Sequence, residues 1–202
     1  EGRNRFHYFT PSMQRYAKHR MRLIQDLRHA IANHEFELFY QPIVSLQQDD
    51  KLKAEALIRW RHPKRGLVSP IEFIAVAEET GLIIEIGNWV FQQAARQSAR
   101  WRDRFGVEVQ ISINKSPVQF RDEGESFESW AALLKTLKLT NNNICIEITE
   151  GLLLDGNSAI SAKLAQYRES GIQVSLDDFG TGYSSLAYLK KFEIDYLKID
   201  QS

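Results

Sequence analysis

The stretch "ICIEIT", Ile144–Thr149, decides the fold because its side chains divide by parity. Successive side chains of a strand point to opposite faces, so the three isoleucines share one face and Glu147 lies on the other. An open parallel sheet covered by helices on both sides needs apolar residues on both faces. A strand with one apolar and one polar face instead fits the wall of a barrel whose inner face carries functional groups.

The same parity recurs in three other runs, "VQISIN" (109–114), "IQVSLD" (172–177) and "YLKID" (196–200). Longer helical runs separate the strand candidates, and this alternation is typical of βαβ units. Ser69-Pro70 predicts the start of one helix, which Gly81 ends, and Gly106 ends another. We therefore predict an α/β protein of the (β/α) barrel class. Its strand candidates are 37–43, 52–58, 107–113, 144–149, 172–177 and 194–199.

The composition limits the class of protein. The chain has 202 residues, enough for one domain, and its 26 Lys and Arg residues balance 26 Asp and Glu, so no charge excess favours a nucleic-acid polymer as partner. The single cysteine, Cys145, excludes an intramolecular disulfide, and no apolar run reaches the ~18 residues of a spanning helix. We expect a soluble, cytoplasmic segment of a parent protein whose other parts can include a membrane anchor.

Five functional side chains are predicted at successive strand ends, and we expect them to meet at the barrel mouth. Three carboxylates and an amide oxygen are hard ligands, which suit Mg²⁺ or Mn²⁺ and do not suit a thiolate zinc site. Gathering so many anions without a cation would be costly. The five residues are Glu55, Asn114, Glu147, Asp177 and Lys198.

The adjacent aspartates Asp177 and Asp178 cannot both face one site as strand residues. We expect Asp177 to end its strand facing inward, and Asp178, as the first loop residue, to turn back toward the same mouth. Such a pair can bind or bridge two metal ions for an in-line displacement at phosphorus. Lys198 can hold the attacking water or offset developing charge.

Each residue taken alone also has a structural interpretation. Asp178 can cap a helix, Glu147 and Asn114 can be satisfied polar residues of a sheet, and Lys198 can simply pair with a carboxylate. The "DFG" at 178–180 lacks the Gly-rich loop and the His-Arg-Asp motif of a kinase. The convergence of the five groups is what favours the functional interpretation.

The ordered set of motifs resembles the EAL-type cyclic di-GMP phosphodiesterases from about residue 30 onward. The motifs are Gln41-Pro42-Ile43, Glu55-Ala56-Leu57 with Arg59 and His62-Pro63, Asn114, Glu147-Ile148-Thr149-Glu150, "DDFGTGYSS" (177–185) and Lys198-Ile199-Asp200. The resemblance implies a modified (β/α)8 barrel whose first strand is antiparallel, with about six of its eight strands in this sequence. It also implies hydrolysis of cyclic di-GMP to linear 5′-pGpG; a cyclic di-GMP receptor without catalysis, or a regulatory module, is the alternative.

The resemblance also assigns roles to residues of this chain. Glu55, Asn114, Glu147 and Asp177 would hold Mg²⁺ or Mn²⁺, with Asp178 at a second ion, and Lys198 would act with Glu55 and Asp177 in catalysis. Glu150 would anchor the loop that begins at Asp178 and couple it to formation of a homodimer. Substrate contacts are implied for Gln41, Leu57, Arg59 and Asp200. Lys115 departs from the family, because an apolar residue is expected after the asparagine.

The resemblance further implies a domain order. Residues 1–12 resemble the last strand of a GGDEF diguanylate cyclase domain, so we expect such a domain upstream in the parent chain. Residues 13–33 read as an amphipathic, basic connecting helix. Residues 34–202 would be an EAL domain that is incomplete at its C-terminal end.

Overall fold

The computed structural model describes residues 10–46, 52–120, 127–154, 158–180 and 192–200. Its first helix, α1, is Pro11–Ala30. Thr10 caps this helix, because its Oγ1 accepts a hydrogen bond from the backbone N–H of Met13 at 3.3 Å, and Pro11 presets the first helical residue. The helix predicted at 13–33 therefore begins earlier, and it also ends earlier, because a turn with His34 at a φ of 56° follows.

The described residues alternate strands and helices as predicted. The strands are β1 (Phe36–Ile43), β2 (Leu52–His62), β3 (Gly66–Val68), β4 (Val109–Asn114), β5 (Ile144–Thr149), β6 (Gln173–Phe179) and β7 (Tyr196–Ile199). The further helices are α2 (Pro70–Thr80), α3 (Ile83–Phe105), α4 (Pro117–Phe120), α5 (Phe127–Thr136), α6 (Glu150–Leu154) and α7 (Ser158–Ser170), with a 3-10 turn at Asn141–Asn143. Gly81 and Gly106 end α2 and α3 with φ angles of 77° and 69°, a left-handed conformation that glycine adopts without steric cost.

All the strands belong to one sheet in the order β1-β2-β4-β5-β6-β7, with β3 paired to β2. β1 runs antiparallel to β2, which confirms the expected antiparallel first strand. The other consecutive pairs along this order, from β2 to β7, are parallel. Within the described part of the chain β1 and β7 are the two ends of the sheet and do not pair, so this part is an open segment of barrel wall.

All six predicted strands are present in the main order of the sheet, and the structure adds a seventh, β3, which lies off this order. β3 is only three residues long and forms a hairpin with β2, with Trp60 opposite Val68. A run of three residues shows too little alternation to be recognised from sequence. β2 also extends to His62 instead of residue 58, which places Arg59 inside the strand.

The core lies between the sheet and the helices that cover its outer face. The isoleucines of β5 are buried there, as their parity predicted. Phe91 of α3 stacks on Trp130 of α5, with 3.8 Å between ring centroids. α3 packs against β4, and α5 packs against α3. Among the described residues, none of the helices combines the length and the apolar character that crossing a membrane requires.

Candidate active site

Strand register brings the predicted residues to one end of the sheet. Asn114 of β4 lies opposite Glu147 of β5, and Glu147 in turn lies opposite Ser175 of β6, two residues before Asp177. Because parallel strands present their carboxyl ends at the same edge, the side chains of these residues converge. The convergence inferred from parity is therefore a feature of the structure.

Lys198 lies at the centre of the group. Its Nζ donates hydrogen bonds to Glu147 Oε2 at 2.8 Å, Glu55 Oε2 at 2.9 Å and Asp177 Oδ2 at 3.3 Å. Asn114 Nδ2 donates to the other oxygen of Glu55, Oε1, at 2.8 Å. All five side chains predicted from the strand ends thus belong to one hydrogen-bonded cluster.

Burial and charge shift the pKa values within this cluster. Burial raises the pKa of Glu147, which is 1% exposed, and the hydrogen bond from Lys198 opposes that rise. Burial acts to lower the pKa of Lys198, but its hydrogen bonds to Glu147 and Glu55 outweigh burial and raise the pKa above its ordinary value. Lys198 is therefore an ammonium ion at neutral pH.

The backbone conformation that brings Asp178 to the acidic group differs from the predicted one. It is not the first loop residue, because β6 continues through Phe179. Asp178 has a φ of 55°, and the pairing of β6 with β7 shifts between Leu176 and Phe179, so it lies in a β-bulge. A bulge suspends the alternation of side chains, which is how two consecutive aspartates can serve one site.

The charges around Asp178 show that it is electrostatically part of the site. Its pKa is raised by partial burial and then by the negative charges of Asp177 and Asp200. Its backbone N–H donates to Asp177 Oδ1 at 3.0 Å. The loop that Glu150 was expected to anchor, 181–185, lies outside the described residues, so that role stays a prediction; Glu150 itself is buried at the start of α6.

The residues expected to contact substrate flank the cluster. Gln41 of β1 is exposed and lies opposite Glu55 in the antiparallel register, and Leu57 lies opposite Phe39. The guanidinium of Arg59 donates to the Ile58 carbonyl at 2.8 Å and lies 5.5 Å from the centre of the Phe39 ring. The backbone N–H of Asp200, directly after β7, donates to the Phe179 carbonyl.

A cavity of about 300 Å³ adjoins the cluster and was not predicted. Asn114 and Glu147 line it on the strand side, and the apolar side chains of α2 and α3, such as Ile74 and Ile83, line it on the helix side. At the cavity wall, Ser116 Oγ donates to Glu78 Oε1 at 2.7 Å, a link between the segment after β4 and α2 that no sequence pattern signalled. Thr149 also lines the cavity, and the parity of "ICIEIT" could have found it.

The donor set fits a hard divalent cation in its chemistry, since it consists of carboxylate and amide groups. Three carboxylates surround one ammonium, which leaves an excess of negative charge. No three acidic, histidine or cysteine side chains among the described residues form a ready set of metal ligands. The position of Lys198 accounts for this arrangement, because its ammonium takes the point at which the three carboxylates converge.

Comparisons with known proteins identify the family of this chain. The chain matches the EAL domain family over residues 24–202. It is 39% identical over 201 residues to the bifunctional diguanylate cyclase/cyclic di-GMP phosphodiesterase MucR of Pseudomonas aeruginosa, covering 100% of this chain and 29% of MucR. It is 38% identical over 200 residues to the cyclic di-GMP phosphodiesterase PdeR of Escherichia coli, covering 99% of this chain and 30% of PdeR.

A solved structure supports the same relationship. The "PaMucR Phosphodiesterase, c-di-GMP complex" superposes with a TM-score of 0.80 at 38% identity, covering 89% of this chain and 72% of that one. The chain spans less than a third of the length of MucR and PdeR. The family match extends over most of the sequence and includes the strands that carry the cluster, so the chain belongs to the EAL domain family.

Proposed function

We propose that this chain hydrolyses one phosphodiester bond of cyclic di-GMP, with Mg²⁺ or Mn²⁺ as cofactor, and releases linear 5′-pGpG. The observation that carries the proposal is the convergence of three carboxylates from three strands on the ammonium of Lys198. Barrel enzymes build their active sites at this end of the strands. The choice of substrate follows the names of PdeR and MucR and the nucleotide in the similar solved structure.

The metal ions would be held by residues of the cluster. Glu55, Asn114, Glu147 and Asp177 would bind one ion, and Asp178, freed from strand alternation by the bulge, would bind a second beside Asp177. When bound, two divalent ions supply a water of lowered pKa and neutralise charge on the phosphoryl oxygens. The excess of negative charge around Lys198 supports this assignment.

Lys198 would act as a hydrogen-bond donor and not as a base, because a lysine side chain among carboxylates stays protonated at neutral pH. The ammonium would orient the oxygen of the attacking water and stabilise negative charge at phosphorus. Glu55 and Asp177, whose oxygens lie 2.9 and 3.3 Å from Nζ, would accept the proton that this water loses. The water oxygen would bond to phosphorus as the bond to the 3′-oxygen breaks, and the departing 3′-oxygen would take up a proton from solvent, which replaces the one passed to the carboxylate.

The dinucleotide would be held on the β1 and β2 side of the cluster. Arg59 offers a planar guanidinium for a phosphate, and its cation–π contact with Phe39 favours a position over that ring. Gln41, opposite Glu55, would contact the nucleotide from the neighbouring strand. Leu57 and Asp200 would complete the binding surface.

A turnover assay tests this function. Cyclic di-GMP is incubated with the protein and MgCl₂ or MnCl₂, and linear product is separated by chromatography. Glu55→Gln should lower kcat by at least ~100-fold, because a metal ligand and proton acceptor is lost. Glu169→Gln, on the exposed side of α7, is the matched control and should retain activity.

Two outcomes of this assay would contradict the proposal. Full turnover by Glu55→Gln would show that the cluster does not perform the reaction. Tight binding of cyclic di-GMP by the wild type without any linear product would identify the chain as a receptor.

The assembly of the parent protein is also a proposal. A GGDEF domain upstream of α1 would match the diguanylate cyclase activity in the name of MucR. A homodimer formed through the EAL domain is proposed from the family resemblance alone. The residues that suggested the upstream domain, 1–9, lie outside the described part of the chain. Light scattering of the purified chain at several concentrations tests the dimer, since a monomer at all concentrations would contradict it.

A further inference from the structure

Lys115 is a buried lysine that follows directly after Asn114. It is 4% exposed, although the family resemblance led us to expect an apolar residue there. Its Nζ lies 4.8 Å from the ring centre of Trp130, 5.3 Å from that of Phe120 and 5.4 Å from that of Tyr167. These three rings form an aromatic cage around the ammonium.

The aromatic cage joins parts of the chain that are distant in sequence. Phe120 belongs to α4, Trp130 to α5 and Tyr167 to α7. Trp130 is fixed from its other side by stacking on Phe91, and its Nε1 donates to Asn88 Oδ1 at 3.1 Å. Because a cation over aromatic faces is attracted most strongly where water is excluded, the cage gives Lys115 a definite position.

The backbone of Lys115 transmits this position to the active-site strands. Its N–H donates to the carbonyl oxygen of Glu147 at 2.9 Å, one step beyond the paired residues Asn114 and Glu147. This bond adds one step to the parallel hydrogen-bond ladder between β4 and β5, directly after the pair Asn114 and Glu147. The distance between the two side chains therefore depends on where Lys115 is held.

We infer that Lys115 is a positioning residue: the aromatic cage fixes it, and its backbone bond fixes Asn114 and Glu147 as a pair suited to a divalent cation. The inference rests on the proposed function and adds to it a residue that touches neither the metal nor the nucleotide. It also gives a physical role to the departure of this chain from the family pattern. Residues that orient metal ligands act on metal affinity without binding the metal themselves.

The variant Lys115→Met tests the inference, because methionine keeps the backbone N–H and fills the aromatic cage but removes the charge. Calorimetric titration of the protein with MnCl₂, well below the melting temperature, should show a Kd about 10-fold weaker than that of the wild type. With cyclic di-GMP, kcat should fall while KM changes by less than about twofold, since the nucleotide contacts remain. A purely structural role would lower the melting temperature and leave the Kd for Mn²⁺ unchanged.

Two further variants complete the design. Lys135→Met removes an exposed lysine at the end of α5, and its Kd for Mn²⁺ should equal that of the wild type. Phe120→Leu removes one ring of the aromatic cage while keeping an apolar side chain, and it should weaken Mn²⁺ binding in the same direction but less. In a Lys115→Met background Phe120→Leu should have little further effect, because the contact it weakens is already gone.

The outcomes separate this inference from the proposed function. Wild-type binding of Mn²⁺ with an unchanged Kd in Lys115→Met overturns the inference and leaves the proposed function standing. A wild type that binds neither Mn²⁺ nor Mg²⁺ overturns the metal-dependent function and the inference with it. If Lys115→Met does not fold, Phe120→Leu decides, and an unchanged Kd in that variant overturns the inference.

Discussion

Lys198 and Glu55 are 143 positions apart in the sequence and form a hydrogen bond of 2.9 Å between Nζ and Oε2. The bond joins β7 to β2, two strands that are not neighbours in the sheet. Since the same ammonium contacts Glu147 and Asp177, one positive charge faces three negative ones and offsets only part of their charge. A divalent cation would compete with Lys198 for these oxygens.

Replacing Lys198 should expose this competition. Without metal, Lys198→Met should be destabilised by about 1–3 kcal/mol, less than for a fully buried pair because Lys198 is partly exposed. MgCl₂ should then raise the melting temperature of the variant more than that of the wild type, because the unbalanced carboxylates bind the ion more tightly. Thermal unfolding with and without MgCl₂ measures both effects. Lys64→Met, in the exposed turn after β2, serves as the control. If MgCl₂ raised the melting temperatures of Lys198→Met and of the wild type equally, the competition would be contradicted.

The bulge at Asp178 predicts a difference between two small substitutions. The φ of 55° is a left-handed conformation that glycine adopts freely and alanine does not. Asp178→Ala should therefore be less stable than Asp178→Gly by about 1 kcal/mol, although alanine is ordinarily the better residue in a strand. Urea denaturation of the two variants gives the comparison. Equal stabilities would mean that the backbone at residue 178 does not need the left-handed conformation.

Gly87 of α3 permits a close approach by Gln119. A Cβ atom at this position would lie 1.9 Å from Gln119 Nε2, and Gln119 is buried with its Oε1 accepting from the Ser116 N–H at 3.0 Å. Gly87→Ala should cost about 1–3 kcal/mol in the free energy of unfolding, because the glutamine must move and lose that bond. The double variant Gly87→Ala/Gln119→Ala should cost less than the sum of the single changes.

A matched control exists in α6, where a Cβ at Gly151 would meet no atom within 4 Å. Gly151→Ala should be neutral or slightly stabilising, since alanine is the better helix former. A Gly87→Ala variant as stable as Gly151→Ala would show that the Gln119 contact is not tight.

Tyr40 should make the free energy of unfolding fall at alkaline pH. Burial raises its pKa from 10.0 to about 12, opposed by the charge of Arg100. Above pH 10 the unfolded chain releases this proton while the folded chain keeps it, so the free energy of unfolding falls as pH rises from 10 toward about 12. Tyr40→Phe should lose less stability over that window, as urea denaturation at several pH values would show. Tyr16→Phe, at a residue 70% exposed, should show the same dependence of stability on pH as the wild type. If Tyr40→Phe also showed the wild-type dependence, the prediction would be contradicted.

Several features were predictable because they depend on local periodicity. The parity of "ICIEIT" places Glu147 opposite the isoleucines, and the structure buries both faces while directing Glu147 toward Lys198. The helix-ending roles of Gly81 and Gly106 follow from the conformational freedom of glycine, and both have positive φ angles. Strand ends in a parallel sheet share an edge, so the cluster could be assembled from residues in five separate strands.

Other features depend on contacts between distant segments and could not be read from the sequence. The aromatic cage of Lys115 requires α4, α5 and α7 to meet, and no local pattern encodes that meeting. The bulge at Asp178 arises from the pairing of β6 with β7, which the local sequence does not show. For this reason a turn was predicted at that position. The strand β3 exists because β2 continues to His62 and offers it a partner.

The sequence distance between Lys198 and the carboxylates also has a consequence for the order of folding. During synthesis Glu55, Glu147 and Asp177 leave the ribosome before Lys198, because they precede it in the sequence. Until β7 pairs with β6, these carboxylates lack the ammonium and would repel one another wherever the strands that carry them have already assembled. The docking of β7 therefore adds a positive charge to this acidic group as well as a strand to the sheet, and a nascent chain stalled before Lys198 should depend on dissolved Mg²⁺ to hold these strands together.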